Sequence, residues 1–268
     1  MTPIAVTIAG SDSSGGAGIQ ADLKTFAALG VYGASVIAAL TAQNTLGVTG
    51  IHDVPADFIG QQMDAVFSDL DVGAVKIGML SRAVAVRTVA DCLERYKARN
   101  IVLDPVMVAT SGDRLLGEDA IIALRNELMP LALIVTPNLA EAAALIGASI
   151  ARNEKEMEAQ AREILARGAR NVLIKGGHGD GAASVDLLVG QGDVLRLSAK
   201  RIATKNTHGT GCTLSSAIAA GLAKGLDLAA AAHDAKAYVT TAIAAADQLD
   251  VGHGNGPLHH FYQSWRPS

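Results

Sequence analysis

The chain has 268 residues, half of them hydrophobic and 18% charged, with 28 glycines and only nine aromatic residues, so its interior must be built mainly from Ala, Val, Ile and Leu. This composition excludes a disordered or collagen-like chain. A formal charge of −4 leaves no general basic footprint for nucleic acid or an anionic membrane, so a negatively charged substrate has to be met by a local set of donors.

The two cysteines, Cys92 and Cys212, form neither a C-x-x-C pair nor a disulfide framework, which points to a reducing, cytoplasmic setting. The first residues lack the basic region of a signal peptide. Residues 25–51 carry no charge, yet Gly30, Gly33, Gln43, Asn44 and Gly47 interrupt them. They read as helix, turn, strand and loop, with no membrane span.

In chain order, short apolar runs at 4–9, 36–41, 75–77, 101–103, 133–135 and 172–174 have the character of buried parallel strands. Longer segments of helical period separate them. Ile19, Leu23 and Phe26 fall on one face ahead of Gly30, Ser81 is a candidate cap for a helix reaching Arg99, and 154–167 reads as a charged surface helix stopped by Gly168. Residues 184–198 change to the pattern of an antiparallel hairpin, and two Ala-rich helices follow at 213–224 and 228–246. With no repeat or Pro-rich linker, residues 1–268 are expected to form a single α/β domain: three αβα layers around a mostly parallel central sheet with a small antiparallel edge.

Chemistry in an open parallel sheet collects at the carboxyl ends of its strands. Four groups of residues are expected there. The first is the glycine-rich loop 10–18 (GSDSSGGAG), whose backbone amides and following helix suit an anion. It is no Walker A loop, because Gly15 is followed by Gly16 and Ala17 in place of the phosphate-seeking Lys. A dinucleotide reading of Gly16, Gly18 and Ala21 is weakened by the absence of any acid between Asp22 and Asp53 to hold a ribose. A ligand-free turn is the remaining reading of this loop.

The second group, 206–216 (NTHGTGCTLSS), opens an Ala-rich helix. Three consecutive amides at Gly209, Thr210 and Gly211 suit a phosphoryl group, and Cys212 in the first helical turn is expected to have a lowered thiol pKa. Cys92 reads as a packing residue. The third is the oxygen set Asp104, Asn138 and Glu141, suited to Mg²⁺ held partly through water. The fourth is Lys175, an ammonium at a buried strand end, which needs an anion beside it. No histidine spacing suggests zinc.

Taken in order, the blocks 9–24 (AGSDSSGGAGIQADLK), 41–45 (TAQNT), 76–80 (KIGML), 103–108 (LDPVMV), 136–138 (TPN), 175–178 (KGGH) and 208–215 (HGTGCTLS) closely resemble the ribokinase-like superfamily. Within it, the resemblance is to the bacterial hydroxymethylpyrimidine/phosphomethylpyrimidine kinases of thiamine biosynthesis and covers nearly the whole chain. It implies a cytoplasmic, homodimeric enzyme using ATP and Mg²⁺ that phosphorylates 4-amino-5-hydroxymethyl-2-methylpyrimidine and then its monophosphate. By the same resemblance Gln43 reads the aminopyrimidine, and Gly10, Ala17, Asp22, Met79, Val106 and Cys212 surround it. Asp104, Asn138 and Glu141 manage the metal, while Lys175 and the amides from Gly209 through Thr210 to Gly211 hold the ATP phosphates, with Cys212, Lys175, Gly209 and Gly211 at the reacting group.

The chain departs from the pattern mildly: Ala140 stands where proline is expected, and Thr110 where Lys is common. Two alternatives stay open on the sequence. A pyridoxal or pyridoxine kinase acts on a similarly flat heterocycle, and a catalytically silent sensor would bind the pyrimidine or ATP without turnover.

Overall fold

The computed structural model describes residues 1–107, 116–177 and 183–265. Thr110 and His178, named above, lie outside them. One nine-stranded sheet runs through the described residues. Its strands are β1 (Ile4–Gly10), β2 (Tyr32–Asn44), β3 (Gly47–Asp53), β4 (Ala74–Ile77), β5 (Ile101–Leu103), β6 (Ile134–Val135), β7 (Val172–Lys175), β8 (Ala183–Val189) and β9 (Val194–Lys200), in the spatial order β3-β2-β1-β4-β5-β6-β7-β8-β9. In that order the strands from β2 across to β7 are parallel. Both edges are antiparallel: β8 and β9 form the expected hairpin, and β3 folds back on β2.

The β2–β3 edge is a correction to the sequence reading, which placed a loop after residue 41. Residues 47–53 carry little apolar patterning because they lie largely in solvent on an edge strand, so periodicity gave no signal.

Residues of the central strands alternate between two cores. Val6, Ile8, Val75, Ile77, Leu103, Val135 and Val172 face one, while Ala5, Ala74, Val102, Ile134 and Leu173 face the other. The first face is covered by α2 (Ala56–Phe67), α3 (Ala83–Arg95), α4 (Glu118–Ala123), α5 (Leu139–Ile146) and α6 (Glu154–Ala166). The second is covered by α1 (Gly18–Ala28), α7 (Thr210–Ala223) and α8 (Leu228–Ala244). A three-layer αβα sandwich results.

Ala and Gly let α7 and α8 approach closely, and a Cβ at Gly221 would stand 2.9 Å from that of Ala231. Ser81 does not cap α3. The helix starts after Arg82 without a side-chain cap, and the Ser81 hydroxyl donates to Asp53 on β3 instead.

Two features of this topology position the site. The chain moves from β1 outward to β2 and then returns to β4 on the other side, so the order reverses between β1 and β4, where open α/β sheets form their ligand crevice. In addition, α7 packs across β1, β4 and β5, and its N-terminus lies at that crevice.

Candidate active site

The strand ends are joined to one another by backbone bonds. Gly78 N donates to Ile8 O at 3.0 Å, Asp104 N to Ile77 O at 2.9 Å, Thr136 N to Leu103 O at 2.9 Å and Lys175 N to Pro137 O at 2.8 Å. Parallel pairing in register thus sets Gly10, Met79, Asp104, Thr136 and Lys175 along one rim. Gly10 N donates to Met79 O at 3.2 Å, and a Cβ on Gly10 would come within 2.6 Å of Met79 Cε. Here glycine provides space.

Farther along the rim, Lys175 Nζ donates to Asp104 Oδ1 at 2.7 Å and lies 3.8 Å from Glu141 Oε2. Asp104 also accepts from Thr136 Oγ1 and from Ser215 Oγ, both at 3.2 Å. Burial disfavours the Asp104 anion, but Lys175 and Lys76 outweigh it and hold the carboxyl below its ordinary range. Glu141 goes the other way. Burial, opposed by Lys175 and reinforced by Asp104, pushes it up to about 7.

Asp104 and Glu141, both buried, thus lie against one ammonium directly, while Lys76 also acts on Asp104. This donor set fits a divalent cation bound partly through water. Asn138 serves the site indirectly. Its Oδ1 accepts from Glu141 N at 2.9 Å while Asn138 N donates to Glu141 Oε2 at 2.7 Å, a capping box that opens α5 and fixes the Glu141 side chain.

The helix α7 presents its N-terminus to this pair. Gly209 adopts φ +82°, and a Cβ there would fall onto the carbonyl oxygen of Gly16, so only glycine allows the two glycine-rich loops to meet backbone to backbone. A Cβ on Gly211 would lie 3.2 Å from Lys175 Nζ and 3.8 Å from Asp104 Oδ2. Of the three amides expected to face an anion, that of Thr210 is engaged by Thr207 O at 3.2 Å. The first N–H with an acceptor inside the helix is that of Thr213, which donates to Gly209 O at 2.9 Å. The amides of Gly211 and Cys212 are thus first-turn donors beside the lysine.

The first glycine-rich loop differs from expectation. Its amides are taken by its own aspartate: Ser14 N, Gly16 N and Ala17 N donate to the Asp12 carboxylate at 2.9, 3.1 and 2.8 Å, and Ser14 Oγ donates at 2.7 Å. His208 Nε2 stands 2.7 Å from Asp12 Oδ2. Burial raises the Asp12 pKa, but these donors prevail and bring it to about 2. The loop is therefore an internally satisfied turn that shapes one wall. Gln43 adjoins it, with Ser13 Oγ donating to Gln43 O at 2.8 Å and the carboxamide reaching Thr41 and His208. A shift of register between Ala42 and Gln43 in the β2–β3 ladder aims this side chain.

Cys212 and Asp22 depart most from the sequence reading. Burial pushes the Cys212 thiol up to about 11, with Lys76 opposing and Asp22 and Asp104 reinforcing the rise, so helix position does not lower it. Asp22 is fully buried behind the rim, where it accepts from Thr7 Oγ1 at 2.6 Å, Lys76 Nζ at 2.8 Å and Ser216 Oγ at 2.6 Å. These partners follow from sheet parity, since Thr7 and Lys76 pair across β1 and β4 and both face α1 and α7. Ala17 and Val106 are partly buried at the rim, Ala17 as the residue preceding α1.

Sequence reasoning assigned no role to Asp12, Lys76 or His208. For Lys76 a signal existed, a charge inside the four-residue buried strand β4. The Asp12–His208 pair joins residues 196 positions apart and left none.

An αβα fold with an ammonium, carboxylates and helix-terminal amides at its strand ends defines a small-molecule phosphotransferase of ribokinase-like architecture. Within that class the chain belongs to the phosphomethylpyrimidine kinase family, whose pattern matches residues 12–259. It is 62% identical to the hydroxymethylpyrimidine/phosphomethylpyrimidine kinase of Rhizobium meliloti, across 99% of this chain and 100% of the relative. Among solved structures it resembles a Clostridium difficile phosphomethylpyrimidine kinase (TM-score 0.80, 45% identity, 90% of this chain and 99% of the other). It also resembles an ADP complex of Bacillus subtilis pyridoxal kinase (TM-score 0.89, 36% identity, 97% and 98%). Among the described residues no helix is long and apolar enough to cross a membrane.

Proposed function

We propose that the protein transfers the γ-phosphoryl group of ATP to the hydroxymethyl oxygen of 4-amino-5-hydroxymethyl-2-methylpyrimidine, and then a second one to the resulting monophosphate, in the supply of thiamine. The observation that carries this reading is the pairing of Lys175 with Asp104 at 2.7 Å directly beside the open backbone of Gly211. Lys175 and the Gly211 and Cys212 amides neutralise the oxygens of the transferring group, which in a loose transition state is most of what a kinase must do.

Gln43 reads the ring, since one carboxamide supplies both a donor and an acceptor to a ring nitrogen and its amino neighbour. Gly10 and Met79 leave room for the ring, with the polarizable sulfur of Met79 against its face. Asp22 acts behind this pocket by anchoring Lys76 and α7. Mg²⁺, held by Asp104 and Glu141 partly through water, would supply charge to the triphosphate, and Asn138 would orient Glu141. With a thiol pKa near 11, Cys212 meets substrate as a thiol and positions the hydroxymethyl group. The same reading includes a cytoplasmic setting and a homodimer, the latter supported by exposed Leu46 and Ile51 at the β2–β3 edge.

A second reading, phosphorylation of a pyridoxal-type substrate, is favoured by the likeness to the Bacillus subtilis enzyme. ADP release measured with each substrate separates the two, and pyrimidine is expected to be the better one. ATP binding without turnover of either would support the silent-sensor alternative.

A further inference from the structure

We propose that Asp12 and His208 form a positioning pair that fixes which way the Gln43 carboxamide points, and thereby seats the pyrimidine with its hydroxymethyl arm toward Gly211 and Lys175. The inference rests on the reading of Gln43 as the group that recognises the ring. It follows from counting hydrogens around one side chain.

Asp12 accepts from Ser14 N, Ser14 Oγ, Gly16 N and Ala17 N, so it is an acceptor only. His208 Nε2, 2.7 Å from Asp12 Oδ2, must therefore carry its hydrogen. The same Nε2 lies 3.4 Å from Gln43 Nε2, so two nitrogens face each other there. A nitrogen that donates there cannot also accept from a carboxamide NH₂, whereas it can share its hydrogen with a carboxamide oxygen. At the other end, Thr41 Oγ1 has one hydrogen, which goes to Ser11 O at 2.8 Å. With that hydrogen used in the shorter bond, only lone pairs are left to face Gln43 Oε1 at 3.2 Å. These lone pairs require the NH₂. The structure sets Gln43 Nε2 toward His208 and Oε1 toward Thr41, but the hydrogens are satisfied at both contacts only with the amide turned over, oxygen toward His208 and nitrogen toward Thr41.

The orientation has a consequence for the substrate. In a 4-aminopyrimidine the amino group donates and the adjacent ring nitrogen accepts, so the amino group pairs with the Gln43 oxygen on the His208 side. The hydroxymethyl arm is on the next ring carbon beyond the amino group. It then points past His208 toward the residues that follow it in the chain, Gly209 to Cys212. The reversed carboxamide would direct the arm away from them. His208 in turn is tied down, as His208 N donates to Gly256 O at 3.0 Å.

The test is calorimetric binding, without nucleotide, of the 4-amino substrate and its 4-oxo analogue, which in its ring N–H form presents donor and acceptor in the opposite order. The native protein prefers the amino compound. In His208→Ala the carboxamide is free to turn, and the ratio of the two dissociation constants is expected to shrink about tenfold. Thr41→Val, which loosens the other end and nearly preserves shape, is expected to shrink it as well, and serves if His208→Ala does not fold. In Gln43→Ala the ratio collapses, and adding His208→Ala changes it no further. A ratio that survives both His208→Ala and Thr41→Val while collapsing in Gln43→Ala overturns the positioning pair alone. Weakening of both ligands by one common factor in those two variants does the same. A ratio unchanged in Gln43→Ala overturns the reading of Gln43 itself.

Discussion

Lys175 Nζ lies 2.7 Å from Asp104 Oδ1 although 71 positions separate the two residues, because β5 and β7 run parallel on either side of β6 and end at the same level. The ammonium is held charged by this arrangement. Burial disfavours its charge, but Asp104 and Glu141 outweigh that and raise its pKa. Replacing it removes the charge that phosphates need and takes the directly paired cation away from buried Asp104 and Glu141. Lys175→Ala is expected to lower kcat for both phosphorylations by about 10²–10³-fold and to cost about 3–5 kcal/mol of stability. Steady-state kinetics with urea unfolding checks both, and native turnover in the variant would remove Lys175 from the reaction.

Cys212 separates an orienting thiol from a base. Only a minute fraction is thiolate near neutrality when the pKa is about 11. The first phosphorylation must displace a hydroxyl proton, whereas the phosphate monoester accepting the second is largely ionised at pH 7. For an orienting thiol, Cys212→Ala slows both steps alike and by less than about tenfold, against the 10²–10⁴-fold worth of a general base. A first-step rate rising tenfold per pH unit in the native protein and flat in the variant would instead make the thiolate the proton acceptor.

The glycines at the rim divide the site in two. A Cβ on Gly10 intrudes beside Met79, and one on Gly211 beside Lys175. Gly10→Ala is expected to raise KM for the pyrimidine by about tenfold and leave KM for ATP in place, and Gly211→Ala to do the reverse. Equal effects of both changes on both substrates would contradict separate subsites.

Asp12 provides a pH signature. Its folded pKa of about 2 is below the ordinary 3.8, so its contribution to stability is present in full above that ordinary value and is lost as pH falls through 2. Asp12→Asn is expected to lower stability by about 2 kcal/mol at pH 7. The gap between the two proteins should narrow from pH 4 downward in urea titrations. A gap that stays constant to pH 2 would show that Asp12 is not held as an anion.

The parallel strands were legible because a strand buried on both faces is apolar at nearly every position, as in β5 and, Thr7 apart, in β1, and the polar residue at its end is conspicuous for that reason. Lys175 and Asp104 were found in this way, and Gly211 from the glycine-rich opening of a helix. The edge strand β3 was not, since solvent on its faces removes the pattern that marks a strand. The two chemical corrections share another cause. Helix position predicts a lowered pKa for Cys212, and glycine content predicts open amides at residues 10–18, but burial and the Asp12 carboxylate decide both. The first is not visible until residues distant in sequence are brought together, whereas the second is local, since Asp12 lies only two to five residues from the amides it takes.

The most direct test of the whole account follows the phosphorus of ATP by NMR while the purified protein is given 4-amino-5-hydroxymethyl-2-methylpyrimidine, its monophosphate, or pyridoxal. The account predicts sequential appearance of the pyrimidine monophosphate and diphosphate with ADP, and weaker or absent transfer to pyridoxal. Transfer to pyridoxal with none to either pyrimidine would contradict it.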